Sequence, residues 1–235
     1  MLNNLIQELR DSANPEKAKL YQRFFKTGLG EYAEGDVFIG LTMPQQRKIA
    51  KKYLDLPLND IQILLKSKIH EYRMTGLIIL VNKFKKNKKD RYKQKEIFEI
   101  YIRNTNNINN WDLVDVTCNH IVGDFCAHEG TELLRQFAKS ENVWERRIAI
   151  ISTGAFIKRR LYGETLAISD MLKNDKHDLI HKAVGWMLRE VGKKNVQVLE
   201  IFLKPRYKEM PRTMLRYAIE KFPEEKRKAY LKGEI

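Results

Sequence analysis

Helical periodicity that begins at Pro44 and runs almost to the last residue is the strongest constraint on this chain. Apolar residues recur at spacings of three and four through segments near 44–55, 59–67, 69–87, 91–104, 108–125, 129–139, 142–158, 162–173, 177–193, 195–204, 211–222 and 224–232. No strand-like alternation competes with this pattern. Upstream, Met1–Ser12 and Asn14–Thr27 also read as helices, with Asn14 as N-cap and Pro15 at the first helical position. Only the stretch from Gly28 to Met43 breaks the periodicity. It contains Gly28, Gly30, Gly35 and Gly40, which makes it the longest loop, either mobile or shaped to approach something closely.

The helical segments behave as a repeat. Glu71–Phe84, Trp111–Phe125, Val143–Ile157, Leu179–Gly192 and Pro211–Phe222 recur at intervals of about 32–40 residues, each after a shorter helix, as in stacked helical hairpins. The expected fold is therefore an all-α superhelix of HEAT-like repeats, a single domain over residues 1–235 with a concave basic groove. The slot just before the middle of each second helix holds Arg73, Asp115, Arg147, Lys182 and Arg216 in turn. Stacking would align them along one concave surface. Four cations in a row suit a phosphate backbone, and the single acid then needs a reason.

Charge supports a polyanionic partner: 44 Lys and Arg against 30 Asp and Glu leave a formal +14, and release of phosphate counterions is the usual gain behind such an excess. An anionic membrane would be served by the same charge, but neither a basic amphipathic helix nor a lipidation site is evident. The absence of an eighteen-residue apolar run and of a basic-then-apolar leader predicts a soluble, cytoplasmic protein. Cys118 and Cys126 lie two helical turns apart, too far to bridge, which fits a reducing compartment.

Candidate chemistry narrows quickly. His177 and His181 are one turn apart, but the acid between them is misplaced for a zinc-protease motif and no third ligand is near, so no metal is expected. Without strands there is no place for a glycine-rich dinucleotide loop. Cys118 falls on the apolar stripe Val114, Cys118, Ile121 and Phe125, which is expected to enter the core. Asp115 remains, one turn after Trp111, so that indole and carboxylate lie side by side on one helix. Of the other tryptophans, Trp144 is expected in the core and Trp186, near Lys182, in the groove. A carboxylate in a cationic groove weakens simple DNA binding, so it should meet positive charge on the ligand. Purines alkylated at N3 or N7 are cationic, and their glycosidic bond breaks toward an oxocarbenium-like sugar that a carboxylate can stabilise while orienting water. Indole faces attract the same cation.

The chain resembles the DNA alkylation repair family, the AlkD-like HEAT-repeat DNA glycosylases, over nearly its whole length. The matches are Asn14-Pro15-Glu16-Lys17-Ala18, Gly40-Leu41-Thr42-Met43-Pro44, Trp111-Asp112-Leu113-Val114-Asp115, Gly123-Asp124, Asn142-Val143-Trp144 through Arg147, and Lys182 through Glu190. The resemblance implies excision of cationic N3- and N7-alkylpurines from double-stranded DNA, without flipping the base into a pocket. By the same resemblance Asp115 would be the catalytic aspartate. Trp111 and Trp186 would contact the lesion's deoxyribose and backbone, and Arg147 would help hold the DNA. Phe24 stands where the family's best-known member has a tyrosine, keeping the ring without the hydroxyl, and Thr42 stands for a glutamine; both positions are expected at the DNA. Asn110 replaces the first of a tryptophan pair, and the glycine-rich loop is longer. The expected protein is a monomer without cofactor. Its rivals are a non-catalytic paralogue that recognises distorted DNA and a scaffold for an acidic protein.

Overall fold

In the computed structural model, which describes residues 1–235, the chain is all-helical. Contacts divide it into two compact units, Met1–Ile121 and Val122–Ile235.

The first unit contains α1 (Leu2–Asp11), α2 (Pro15–Phe24), α3 (Met43–Lys52), α4 (Leu58–Leu65), α5 (His70–Lys86), α6 (Arg91–Arg103), a single 3₁₀ turn at Thr105–Asn107, and α7 (Trp111–Cys118). Its organising element is α5, against which α3, α4, α6 and α7 all pack. Every residue from His70 to Val81 is buried. The run Leu77-Ile78-Ile79-Leu80-Val81 explains this, because a helix apolar on all sides is stable only when surrounded. The same burial forces His70, Glu71 and Arg73 indoors with it, and buried charge must find partners.

Helix starts follow the local chemistry expected of them. Asn14 accepts from the Lys17 amide at 2.9 Å ahead of Pro15, and Asp90 accepts from the Lys93 amide at 3.1 Å. At α3 the Thr42 amide donates to Gln45 Oε1 at 2.9 Å, the reciprocal half of a capping box. The glycine-rich loop is shaped for close approach: the Asn14 amide donates to Ile39 O at 2.8 Å. Gly40 has φ +87°, and a Cβ there would lie 2.1 Å from Asn14 O. Only glycine fits. A lone parallel bridge, Val37 to Ile69, fixes the loop's far end.

The second unit contains α8 (Asp124–Glu129), α9 (Glu132–Phe137), α10 (Val143–Ser152), α11 (Gly154–Lys158), α12 (Gly163–Leu172), α13 (Asp178–Lys194), α14 (Val196–Leu203), α15 (Arg212–Ala218) and α16 (Glu224–Lys232). Here α13 is the hub, packing against α10, α12, α14 and α15. Its closest neighbour is α15: a Cβ at Gly185 would lie 2.5 Å from Met214 O, so the two backbones meet there without an intervening side chain. Trp144 is buried in this unit, as its pattern predicts.

Two helices expected to be continuous are interrupted. The segment 108–125 becomes α7, a π-helical turn over Asn119–Gly123, and α8. Gly123 sits so close to Ser152 O that a Cβ would be 2.3 Å away, and widening the helix by one residue brings that bare backbone to the contact. The segment 142–158 breaks at Thr153, whose hydroxyl turns back to Ile150 O at 2.7 Å just before Gly154.

Candidate active site

Asp115 and Trp111 lie one turn apart on α7, and both side chains are half-buried. The apolar stripe that anchors this helix is inside as expected: Val114, Cys118 and Ile121 are fully buried and Phe125 nearly so. Beneath Asp115, Tyr101 donates to or accepts from Thr117 Oγ1 at 3.1 Å. Burial first, and the neighbouring Cys118 and Asp115 after it, push that phenol well above its ordinary range, so it stays neutral.

Trp111 belongs to an aromatic cluster. Its ring stacks on Phe25 at 5.2 Å, meets Phe24 edge-on at 5.9 Å, and donates its indole N–H to Tyr32 Oη at 3.3 Å. Phe25 in turn stacks on Phe38 at 4.9 Å, and His70 lies against both rings. Phe24 remains 63% exposed, which leaves a ring face beside Trp111 open to solvent.

Two polar contacts from α5 and the glycine-rich loop hold the start of α7. Asp112 Oδ2 lies 2.9 Å from His70 Nε2, while its other oxygen accepts from the Leu113 amide. Asn109 bridges Arg73 and Asp36: its carbonyl oxygen accepts from Arg73 at 3.0 Å and its amide donates to Asp36 Oδ1 at 3.2 Å. Arg73 completes the network with a 2.7 Å bond to Asp36 Oδ2 and a 2.8 Å bond to Ser67 O. Burial opposes ionisation of Asp36. The His70 hydrogen bond, Arg73 and Asn109 outweigh it, and the carboxyl sits below its usual range. Burial likewise opposes protonation of His70, yet Asp112 and Asp36 prevail and the imidazole pKa is raised.

The cations expected to form a row fare differently. Arg73 is a correction to that reading: it is 3% exposed and its guanidinium is spent on Asp36, Asn109 and Ser67 O, so it cannot meet a phosphate. Arg147 is also buried, with a bond from Nη1 to Leu179 O at 2.5 Å. Arg216 is exposed on α15, and Lys182 is half-buried on α13 with Asp178 at 2.6 Å. The Asp178 hydrogen bond raises the Lys182 pKa and Arg147 lowers it, so the two cations are electrostatic neighbours. The slot rule fails at two of its four cations: α5 is enclosed on every side, which turns Arg73 inward, and Arg147 on α10 is buried against the start of α13.

Trp186, in the second unit, is half-buried and donates its indole N–H to Glu190 Oε1 at 3.2 Å, an oxygen shared with Lys193 at 2.7 Å. Thr42 is half-buried, with its hydroxyl 2.7 Å from Gln45 Oε1. The two histidines of α13 serve its start: His177 Nδ1 accepts from the Leu179 amide at 3.2 Å, and His181 Nε2 contacts Asp175 O. No group of three or more His, Cys, Asp or Glu side chains is arranged to hold a metal ion.

Sequence reading missed Asp36, His70, Glu71, Asn109 and Asp112. The only signal was a polar His-Glu-Tyr-Arg start on an otherwise apolar helix. The first unit also contains a cavity of about 440 Å³ walled by aromatic rings.

No curated protein matches the sequence. A solved structure described as a predicted DNA alkylation repair enzyme from Enterococcus faecalis superposes with a TM-score of 0.72 at 20% identity, covering 91% of this chain and 98% of that one. AlkD2 from Streptococcus mutans aligns with a TM-score of 0.56 at 19% identity over 89% of this chain and 98% of its own. The smu.31 protein of Streptococcus mutans UA159 gives 0.56 at 20% identity, covering 77% and 92%. These likenesses establish a shared helical-repeat fold. The family model for the DNA alkylation repair enzyme matches residues 5–222, and the chain belongs to that family.

Proposed function

We propose that this protein binds duplex DNA and hydrolyses the N-glycosidic bond of purines made cationic by alkylation at N3 or N7. The observation that carries this reading is the pairing of Asp115 with Trp111 one turn apart on α7, both half-exposed, on a helix pinned at its start by Asp112 and Asn109. A carboxylate held in place needs no reorganisation as positive charge develops on the sugar, and it can align a water for attack on the anomeric carbon. The Trp111 face attracts the same charge. A cationic base leaves without a general acid, so one carboxylate suffices.

The formal +14 supports a DNA partner. Lys182 and Arg216 are the backbone contacts this reading retains, with Trp186 against the lesion strand and Phe24 offering an exposed stacking face. The protein acts as a monomer, without metal or cofactor.

Release of 7-methylguanine from duplex DNA tests the proposal directly. Wild type should release the base, and Asp115→Asn should slow release by about 10²–10³-fold, the usual cost of losing one preorganised electrostatic stabiliser. Wild-type inactivity despite salt-sensitive DNA binding would replace catalysis with the role of a DNA-binding paralogue.

A further inference from the structure

Half of the protein's excess charge sits in one short stretch. Eight of the thirteen residues from Lys83 to Lys95 are Lys or Arg and only Asp90 is acidic, a net +7 out of the formal +14. The stretch covers the last turn of α5, the connection to α6 and the first residues of α6. Cations in the last turn of a helix complement its dipole, which accounts for Lys83, Lys85 and Lys86. It does not account for the others. Arg91, Lys93 and Lys95 open α6, whose first turn contains no acid, and positive charge there opposes the dipole. Lys86 has Asp55 at 3.6 Å and Lys93 has Asp90 at 3.3 Å, but all four side chains are exposed and such pairs contribute little. A charge excess that the fold itself disfavours is suited to a polyanion outside it.

A small cleft lies at the same end of α5. It has a volume of about 50 Å³, and its polar lining is Arg47, Asn82, Lys85 and His120, with no carboxylate among the lining residues. That volume admits one tetrahedral oxyanion and excludes a nucleoside. Arg47 comes from α3, Asn82 and Lys85 from α5, and His120 from the π-helical turn that follows α7. His120 is five residues beyond Asp115, about 8 Å of helix rise, so the cleft is near the candidate site without being lined by Trp111 or Asp115. Tyr92, 81% exposed, is the one large apolar side chain presented to solvent between Lys83 and Lys95. A lone exposed ring among cations suits a nucleic-acid strand, where charge tracks the backbone and rings stack. A membrane surface calls for an apolar helix face, which this stretch lacks.

We infer that the C-terminal end of α5, its connection to α6 and the adjoining cleft form a second DNA-binding surface, separate from Trp111 and Asp115. It grips the sugar-phosphate backbone beside the reacting nucleotide, with one phosphate seated among Arg47, Asn82, Lys85 and His120. The choice of DNA as the polyanion rests on the proposed function. The surface lies wholly in the first unit, whereas Lys182 and Arg216 belong to the second. Phosphate contacts carry no sequence information, so this grip serves damaged and undamaged duplex alike and sets register on the DNA.

Fluorescence anisotropy of the full chain with an undamaged duplex of about two helical turns, from about 50 to 200 mM salt, tests the inference. Lys88→Ala, Lys89→Ala and Lys95→Ala combined remove three exposed lysines and should lower the slope of log affinity against log salt by about two to three units. Affinity at the lower salt should fall at least about tenfold. Arg47 is exposed too, and Arg47→Ala should lower the slope by about one unit. Lys208→Ala, Lys228→Ala and Lys232→Ala combined remove the same charge from exposed positions of the second unit and should leave the slope within about one unit of wild type. An equal fall in both triple variants, as a general loss of net charge gives, overturns the inference. So does a wild-type slope in the first triple variant or in Arg47→Ala. Vesicles of phosphatidylcholine and phosphatidylserine form the second arm: wild-type binding to them that the first triple variant abolishes, with its DNA slope unchanged, assigns the surface to a membrane and also overturns the inference. Base release is scored separately. A chain that releases 7-methylguanine with equal slopes in wild type and variants defeats this surface alone, and one whose slopes fall as expected without base release defeats the glycosylase reading alone.

Discussion

Replacing Arg73 distinguishes most sharply between a cation waiting for DNA and one consumed inside the protein. Arg73 and Asp36 are 3% and 5% exposed, with 2.7 Å between guanidinium and carboxylate. Arg73→Met keeps most of the volume and removes the charge, leaving Asp36 buried with only His70, at 3.4 Å, and Asn109 to compensate it. Breaking a buried pair by removing one partner costs about 3–5 kcal/mol. For a chain of this size each kcal/mol moves the midpoint by about 2–4 °C, so the melting temperature should fall by about 6–20 °C. The loss should shrink when Asp36→Leu is added, because the stranded charge then disappears too; the double-mutant cycle reads that coupling. Circular dichroism melts of the four proteins are the assay. If Arg73→Met melts within a degree of wild type while its DNA affinity drops, the guanidinium faces solvent and the interior network described above is wrong.

His70 adds a pH signature. Its raised pKa means that the folded state binds the proton more tightly than the unfolded chain, so this stabilisation is complete below about pH 6.5 and fades as pH rises through the folded-state value. The midpoint of wild type should therefore decline as pH rises beyond about 6.5, and His70→Gln should flatten that decline; parallel curves would remove the imidazolium from the network. Gly40→Ala should destabilise by at least about 1–3 kcal/mol from its left-handed backbone alone, with the clash against Asn14 O added, and an unchanged urea midpoint would contradict the close crossing of loop and α2. Lys182→Ala and Arg216→Ala should each reduce the salt dependence of duplex binding by about one unit of slope without shifting the melt by more than about 1 kcal/mol. A slope equal to wild type in both would take α13 and α15 away from the DNA.

Sequence alone determined the secondary structure class and the helices' inward stripes, because periodicity reports which face is apolar wherever a helix has one buried side. Val114, Cys118 and Ile121 on α7 were legible for that reason, as was the burial of Trp144. The Asn14 cap was equally local, since its side-chain oxygen reaches an amide three residues on. The neighbourhood of Trp111 and Asp115 followed from helical spacing. Tertiary structure decided what α5 does. An enclosed helix has no outward face, so periodicity gives no bearing on Arg73, and its partner Asp36 comes from a loop 37 residues upstream. The cavity is of the same kind: its rings come from α2 and the loop, its acids from α5 and α7, and only folding places Gln46 among them. Contacts between distant segments depend on how surfaces fit when brought together, and spacing along a chain carries no record of that fit.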